Sequence, residues 1–155
     1  RIMDIEEKLK ELNIILPKAP DPVGAYVACK KINNLIFISG QLPIDNNGTM
    51  VKGKIGKELG LEDGQRASKF CVLNIIAQLK KALSGDLNKV KNCIKITGFV
   101  NSTDDFKDQP KVINPASETL SSLFGEKGKH TRAAVSTNSL PLGAAVEIDA
   151  IFEIN

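Results

Sequence analysis

The chain has 155 residues, 42% of them apolar and 25% charged, a balance that fits one globular domain, 1–155, with a buried core. Its 21 basic and 18 acidic residues leave a net charge of +3, too small an excess to argue for nucleic-acid binding by itself. A single histidine, His130, excludes a multi-histidine metal site, and no HExxH, paired CxxC, EF-hand, GxxxxGK[ST] or GxSxG spacing occurs. Cys29, Cys71 and Cys93 are odd in number and widely spaced, the pattern of reduced thiols in a cytosol-like compartment. The longest apolar runs, such as Leu35 to Ile38, are about four residues against the ~20 of a membrane helix. Charges stand near the N-terminus where a signal peptide would be apolar, so a cytoplasmic protein without membrane attachment is expected.

In chain order, residues 4–13 read as a helix capped by Asp4, with Glu7 completing a capping-box pattern and Ile5, Leu9 and Leu12 as its apolar stripe. Pro17, Pro20 and Pro22 force an extended segment. Strands are predicted over Ala25–Lys31 and Leu35–Ser39, joined by Asn33-Asn34. The second is apolar on both faces, which predicts a central strand covered on both sides. Residues 45–64 read as a loose loop with a short strand near Met50 to Gly53. Its Lys52, Lys54 and Lys57 are either anion contacts or, more in keeping with such a loop, solvated. Residues 62–83 carry the strongest helical periodicity, through Ala67, Cys71, Ile75 and Leu79, with Gly85 as the stop.

Val90 to Asn101 reads as a long strand, with Ile94, Ile96 and Val100 on one face and Cys93, Thr97 and Phe99 on the other. Val112 to Phe124 is a second long helix with an irregular start at Asn114-Pro115. Arg132–Ser136 and Ala144–Ile154 are the last strands, the latter with Val146, Ile148, Ala150, Phe152 and Ile154 on one face. The order predicts an α+β fold in which two helices cover one sheet face. Another copy of the chain is the simplest cover for the other face.

Several short stretches, in order, carry a family resemblance: Ala19-Pro20 with Val23-Gly24 and Tyr26, Ile38-Ser39-Gly40-Gln41-Leu42-Pro43, Asn114, Arg132-Ala133, Ser139-Leu140-Pro141 and Val146-Glu147-Ile148. The chain resembles the YjgF/Rid family of small trimeric proteins, often labelled endoribonuclease L-PSP, and within it a longer branch with an N-terminal helix. The resemblance implies a chorismate-mutase-like fold, a mixed sheet backed by two helices in a homotrimer. It also implies a small carboxylate-bearing metabolite bound in the cleft between subunits. The implied activity is hydrolysis of enamines and imines such as 2-aminoacrylate to 2-oxo acids and ammonia, with no metal and no organic cofactor. Ala134 stands where better-known members often carry Cys, which argues against thiol chemistry.

Arg132 offers a planar fork for a carboxylate, in a chain whose other basic residues are nearly all Lys; the alternative is an interface salt bridge. Glu147 is either a proton shuttle and orienter of water or a solvent-facing or trimer-axis charge. Ser39, with Gly40, is a substrate-holding strand end or a simple turn. Asn114 is a ligand contact or a helix starter before proline. Tyr26 closes the cleft or packs with a wet hydroxyl. His130 could tune Arg132, though its Lys-rich turn favours a surface residue, and Cys71 belongs to the core. The imine hydrolase is the leading reading, a non-catalytic trimer binding 2-oxo acids the second, and a ribonuclease the third.

Overall fold

The computed structural model describes residues 4–155. The elements are α1 Ile5–Glu11, β1 Cys29–Ile32, β2 Leu35–Gln41, α2 Leu61–Ala82, β3 Val90–Asn101, α3 Gln109–Phe124, β4 Thr131–Thr137 and β5 Val146–Ile154. The strands form one mixed sheet in the order β1-β2-β5-β3-β4, with β3 and β4 parallel and the other pairs antiparallel. The architecture is α+β, as the element order predicts. The last strand in sequence is the middle strand in space.

β5 alternates strictly between buried and half-buried residues. Val146, Ile148, Ala150, Phe152 and Ile154 face the helices, and Phe152 meets Phe124 of α3 edge-on at 6.2 Å. Full burial of such side chains contributes about 1.5–3 kcal/mol each relative to exposure. The opposite sheet face leaves Ile32, Phe37 and Val135 between 43% and 57% exposed. β2 therefore lies next to the edge strand rather than at the centre. Its Ile36 and Ile38 are covered by the helical layer, while Phe37 on the other face stays exposed in the single chain.

Three further differences have identifiable causes. β1 begins at Cys29 rather than Ala25, because Gly24 turns at φ 139° and the Val23 N–H donates to Tyr26 Oη at 3.2 Å, curling that segment away from β2. In β3 the pairing with β5 slips between Cys93 and Lys95. The slip reverses the alternation, so Cys93 is buried while Ile94 is exposed. The helix expected from Val112 begins at Gln109 and runs through Pro115. Pro115 cannot donate to the Lys111 carbonyl, and Gln65 Nε2 of α2 supplies that bond at 3.1 Å.

α1 is present as predicted. Asp4 accepts from the Glu6 and Glu7 N–H groups, Ile5 N–H donates to Asn88 Oδ1, and Lys80 meets Glu6 at 2.8 Å. α2 is buried around most of its middle. Its polar residues serve the surrounding chain: Asn74 Nδ2 donates to the Leu42 and Ile44 carbonyls, and Gln78 Nε2 to those of Pro20 and the Gln41 side chain.

The segment 45–64 is not loose. Isolated bridges tie Lys52 to Ala144 and Ile55 to Ser102, and no extended strand forms near Met50. Lys54 turns inward, its Nζ donating to Asn101 Oδ1 at 2.9 Å, the Ser102 carbonyl at 3.2 Å and the Asn138 carbonyl. Ile55 is fully buried against Gly64 of α2. Ile55→Ala should therefore behave as a core truncation and lower unfolding free energy by about 2–5 kcal/mol, read from a urea midpoint. A loss below about 0.5 kcal/mol is what a surface loop would give.

Candidate functional site

Arg132 lies opposite Ile96 of β3, so its side chain leaves the edge strand β4 on the helix-covered face. There Nη1 donates to Asn114 Oδ1 at 2.9 Å and to Ser117 Oγ at 3.2 Å, both on α3. Both partners are neutral. Among the described residues no carboxylate pairs with Arg132, and the second prong of its fork makes no hydrogen bond. The guanidinium thus keeps its full charge and the donors that suit a bidentate anion.

Ser117 connects onward to His130, whose Nε2 lies 2.8 Å from Ser117 Oγ and whose Nδ1 lies 2.7 Å from the Gly128 carbonyl. The expectation of a surface histidine fails, since His130 is half-buried with both ring nitrogens engaged. Gly128 is required here: a Cβ at that position would stand 2.1 Å from the Leu120 carbonyl oxygen. Ser117 went unnoticed in the sequence, although it stands three residues after Asn114 on the same helix, the spacing that puts two side chains on one face.

Glu147 belongs elsewhere. It lies opposite Phe99 on the face away from the helices. Its carboxylate packs on Gly40, where a Cβ would come within 1.9 Å of Oε2. Ser39 and Gly40 fill the irregularity where β2 slips against β5. β2 therefore continues past the expected end at Ser39. The Ser39 hydroxyl donates to the Val27 carbonyl at 2.7 Å, with the oxygen's lone pairs left to accept. Tyr26 and Gly40 line one small cleft with Val23, Gln41 and Gln78. Burial raises the Glu147 carboxyl above its ordinary value, and the neighbouring Asp149 adds to the shift. Burial likewise raises Asp149, opposed by its hydrogen bonds to Thr97.

The sequence-derived residues thus fall into two groups, Arg132 with Asn114 and Tyr26, Ser39 and Gly40 with Glu147. Arg132 and Glu147 stand two strands apart and three residues out of step, roughly 14 Å at the backbone, on opposite faces. They do not meet within one chain.

The thiols are far from nucleophilic. Burial pushes Cys93 up to about 12, raises Cys71 well above its ordinary value with help from the Glu147 charge, and raises Cys29 against the opposing Lys81. Among the described residues no cluster of three or more His, Cys, Asp or Glu could hold a metal ion. No helix among them is long and apolar enough to cross a membrane.

A family model described as "YjgF/chorismate mutase-like, putative endoribonuclease" matches residues 6–153, and the chain belongs to that family. Protein TCP17 of Trypanosoma cruzi is 41% identical over 97% of this chain and 94% of its own length. The crystal structure of Atu1372 from Agrobacterium tumefaciens, a protein of unknown function, is 45% identical and superposes with a TM-score of 0.89 over 97% of this chain and 94% of that one. A Dermatophagoides farinae protein named 2-iminobutanoate/2-iminopropanoate deaminase is 26% identical over 91% of this chain and 94% of its own.

The Glu147 shift fixes the sign of a pH dependence. A raised carboxyl binds its proton more tightly when folded than unfolded. Stability should fall as pH rises from the ordinary value of 4.5 through the higher folded value. Asp149 shifts the same way, so Glu147→Gln should remove part of the decline and not all of it. Urea midpoints from pH 4 to pH 8 measure this; an unchanged slope in the variant would contradict it.

Proposed function

We propose that the protein hydrolyses small enamines and imines of the 2-aminoacrylate type to 2-oxo acids and ammonia, as a homotrimer whose clefts combine both groups of residues. The observation that carries this is the Arg132 guanidinium, anchored by neutral acceptors with no carboxylate partner among the described residues. Its fork matches the substrate carboxylate. The opposite facing of Arg132 and Glu147 favours a site made by two copies, and the exposed Ile32, Phe37 and Val135 favour burial against another copy. The deaminase name of one relative agrees with the chemistry.

In this reading Arg132 and Asn114 of one copy hold the carboxylate, beside Tyr26, Ser39, Gly40 and Glu147 of the next. Water adds to the imine carbon while Glu147 takes its proton and passes it to the imine nitrogen, which gives a neutral carbinolamine. Glu147 then takes the carbinolamine hydroxyl proton and delivers it to the nitrogen as the C–N bond breaks, which re-forms the carbonyl and releases ammonia. A carboxyl held above its ordinary value suits both transfers. The imine is already electrophilic, so orientation and electrostatics suffice without a covalent nucleophile. A ribonuclease fits less well, with one histidine and a net charge of +3.

Three outcomes are expected. Coupled to a serine or threonine dehydratase, the protein should speed loss of the imine. Arg132→Lys should cut kcat/KM about ten- to a hundredfold, and Arg132→Ala at least as much, with assembly intact. A trimer that only binds 2-oxo acids would show no imine hydrolysis while keeping Arg132-dependent binding. Sedimentation at micromolar concentration should give a mass of three chains; a stable monomer would remove the composite site.

A further inference from the structure

The chain's single histidine is tied to the single arginine of the candidate site by a hydrogen-bond chain whose direction is fixed. The Gly128 carbonyl can only accept, so His130 Nδ1 carries a proton. In the neutral imidazole, Nε2 is then an acceptor, and the Ser117 hydroxyl donates to it. That leaves the Ser117 oxygen lone pairs to accept from Arg132 Nη1. A serine inside a helix otherwise tends to donate back to a carbonyl in the preceding turn. His130 competes for that proton and holds the hydroxyl in one rotamer.

The start of the chain is itself rigid. The Gly128 turn is pressed on α3, with room for no Cβ, which sets where its carbonyl points. The turn leads through Lys129 into β4, so one short stretch carries Gly128, His130 and Arg132, while α3 carries Asn114 and Ser117. Lys127 and Lys129 lie on the same stretch. Lys129 is engaged by Glu126 at 2.9 Å, and no carboxylate takes part in the chain from Gly128 to Arg132.

We infer that His130, acting through Ser117, is a positioning residue that sets the orientation of the Arg132 fork, so that one prong is spent on α3 and the other is presented to an anion. The functional consequence rests on the carboxylate-binding role proposed above; the positioning itself does not. Asn114 alone, as one hydrogen bond to Nη1, would let the guanidinium swing about that contact. The second bond to Ser117 removes this freedom at no cost in charge.

The test uses the full chain labelled with ¹⁵N. Since only one histidine is present, its two ring nitrogens are assigned without ambiguity. Wild type should show the Nδ1–H tautomer, and the Arg132 side-chain N–H signals, assigned by their loss in Arg132→Lys, should be resolved and slow to exchange. Ser117→Ala and His130→Ala should broaden them, while Ser117→Thr, which keeps a hydroxyl, should restore them. In the imine assay the two disruptive variants should raise KM about three- to tenfold with kcat within about twofold, the size of one lost hydrogen bond. The double variant should be no worse than the worse single, because the residues act in series.

Wild type with an Nε2–H tautomer, or Arg132 signals unchanged in folded His130→Ala, would overturn the inference. So would additive effects of the two substitutions. A protein with the expected spectra and no imine hydrolysis would support the positioning and defeat the proposed reaction, so the two failures are separate.

Discussion

The placement of β5 in the middle of the sheet governs the rest of the structure. A strand sends alternate side chains to opposite faces, and β5 has neighbours on both sides, so its alternation sets the pattern for the whole sheet. Five apolar residues go to the helices and anchor the core. The intervening Glu147, Asp149, Ile151 and Glu153 go to the face that this chain leaves uncovered. β4, held to β5 only through β3, continues the same alternation and directs Arg132 to the helix side. The separation of the two charged residues follows from sheet parity, and no side-chain rotation could bring them onto one face.

Around this frame, polar side chains do the work that regular pairing cannot. Gln65 replaces the donor that Pro115 lacks, which lets α3 extend one turn earlier and still carry Asn114 and Ser117 at its β4-facing side. Lys54 binds oxygens of two segments, Asn101-Ser102 at the end of β3 and Asn138 after β4, and so fastens the 45–60 region to the strand ends. Asn74 and Gln78 capture carbonyls of chain that has no strand partner. Each bond matters less for its net gain, about 1 kcal/mol, than for the penalty of leaving a buried carbonyl or amide unpaired.

Much of this was readable in the residues. The alternation of β5, the stripe of α2 and the Asp4 cap are periodic or local signals, and the structure follows them. The slip in β3 was not readable, because it depends on pairing with a strand distant in sequence, Cys93 with Phe152 and Lys95 with Ile151, that the Cys93-Ile94 pair does not announce. The inward turn of the half-buried Lys54 was hidden for a similar reason: an ammonium is expected in water until its acceptors are placed around it. At the candidate site, Arg132, Glu147 and Asn114 stood out by residue type, whereas Ser117 is chemically common and His130 lies in a turn rich in lysine. What gives those two meaning is a set of distances between a helix and the turn that follows it.

The neutral surroundings of Arg132 bear on what the site can bind. Had an aspartate or glutamate held the guanidinium, its charge would be neutralised, and an incoming carboxylate would have to compete with that partner. Amide, hydroxyl and imidazole groups orient the guanidinium through hydrogen bonds alone. Glu147, the nearest candidate counter-charge by chemical role, is kept on the other face by β5 and is further biased toward its protonated form by burial and by Asp149. Sheet parity keeps the carboxylate away from the guanidinium within the chain, and burial holds its carboxyl above the ordinary value. In the reading proposed above, a site assembled from two copies would set the Arg132 guanidinium opposite that carboxyl. That pairing suits a substrate bearing an anion at one end and a hydrolysable C=N bond beside it.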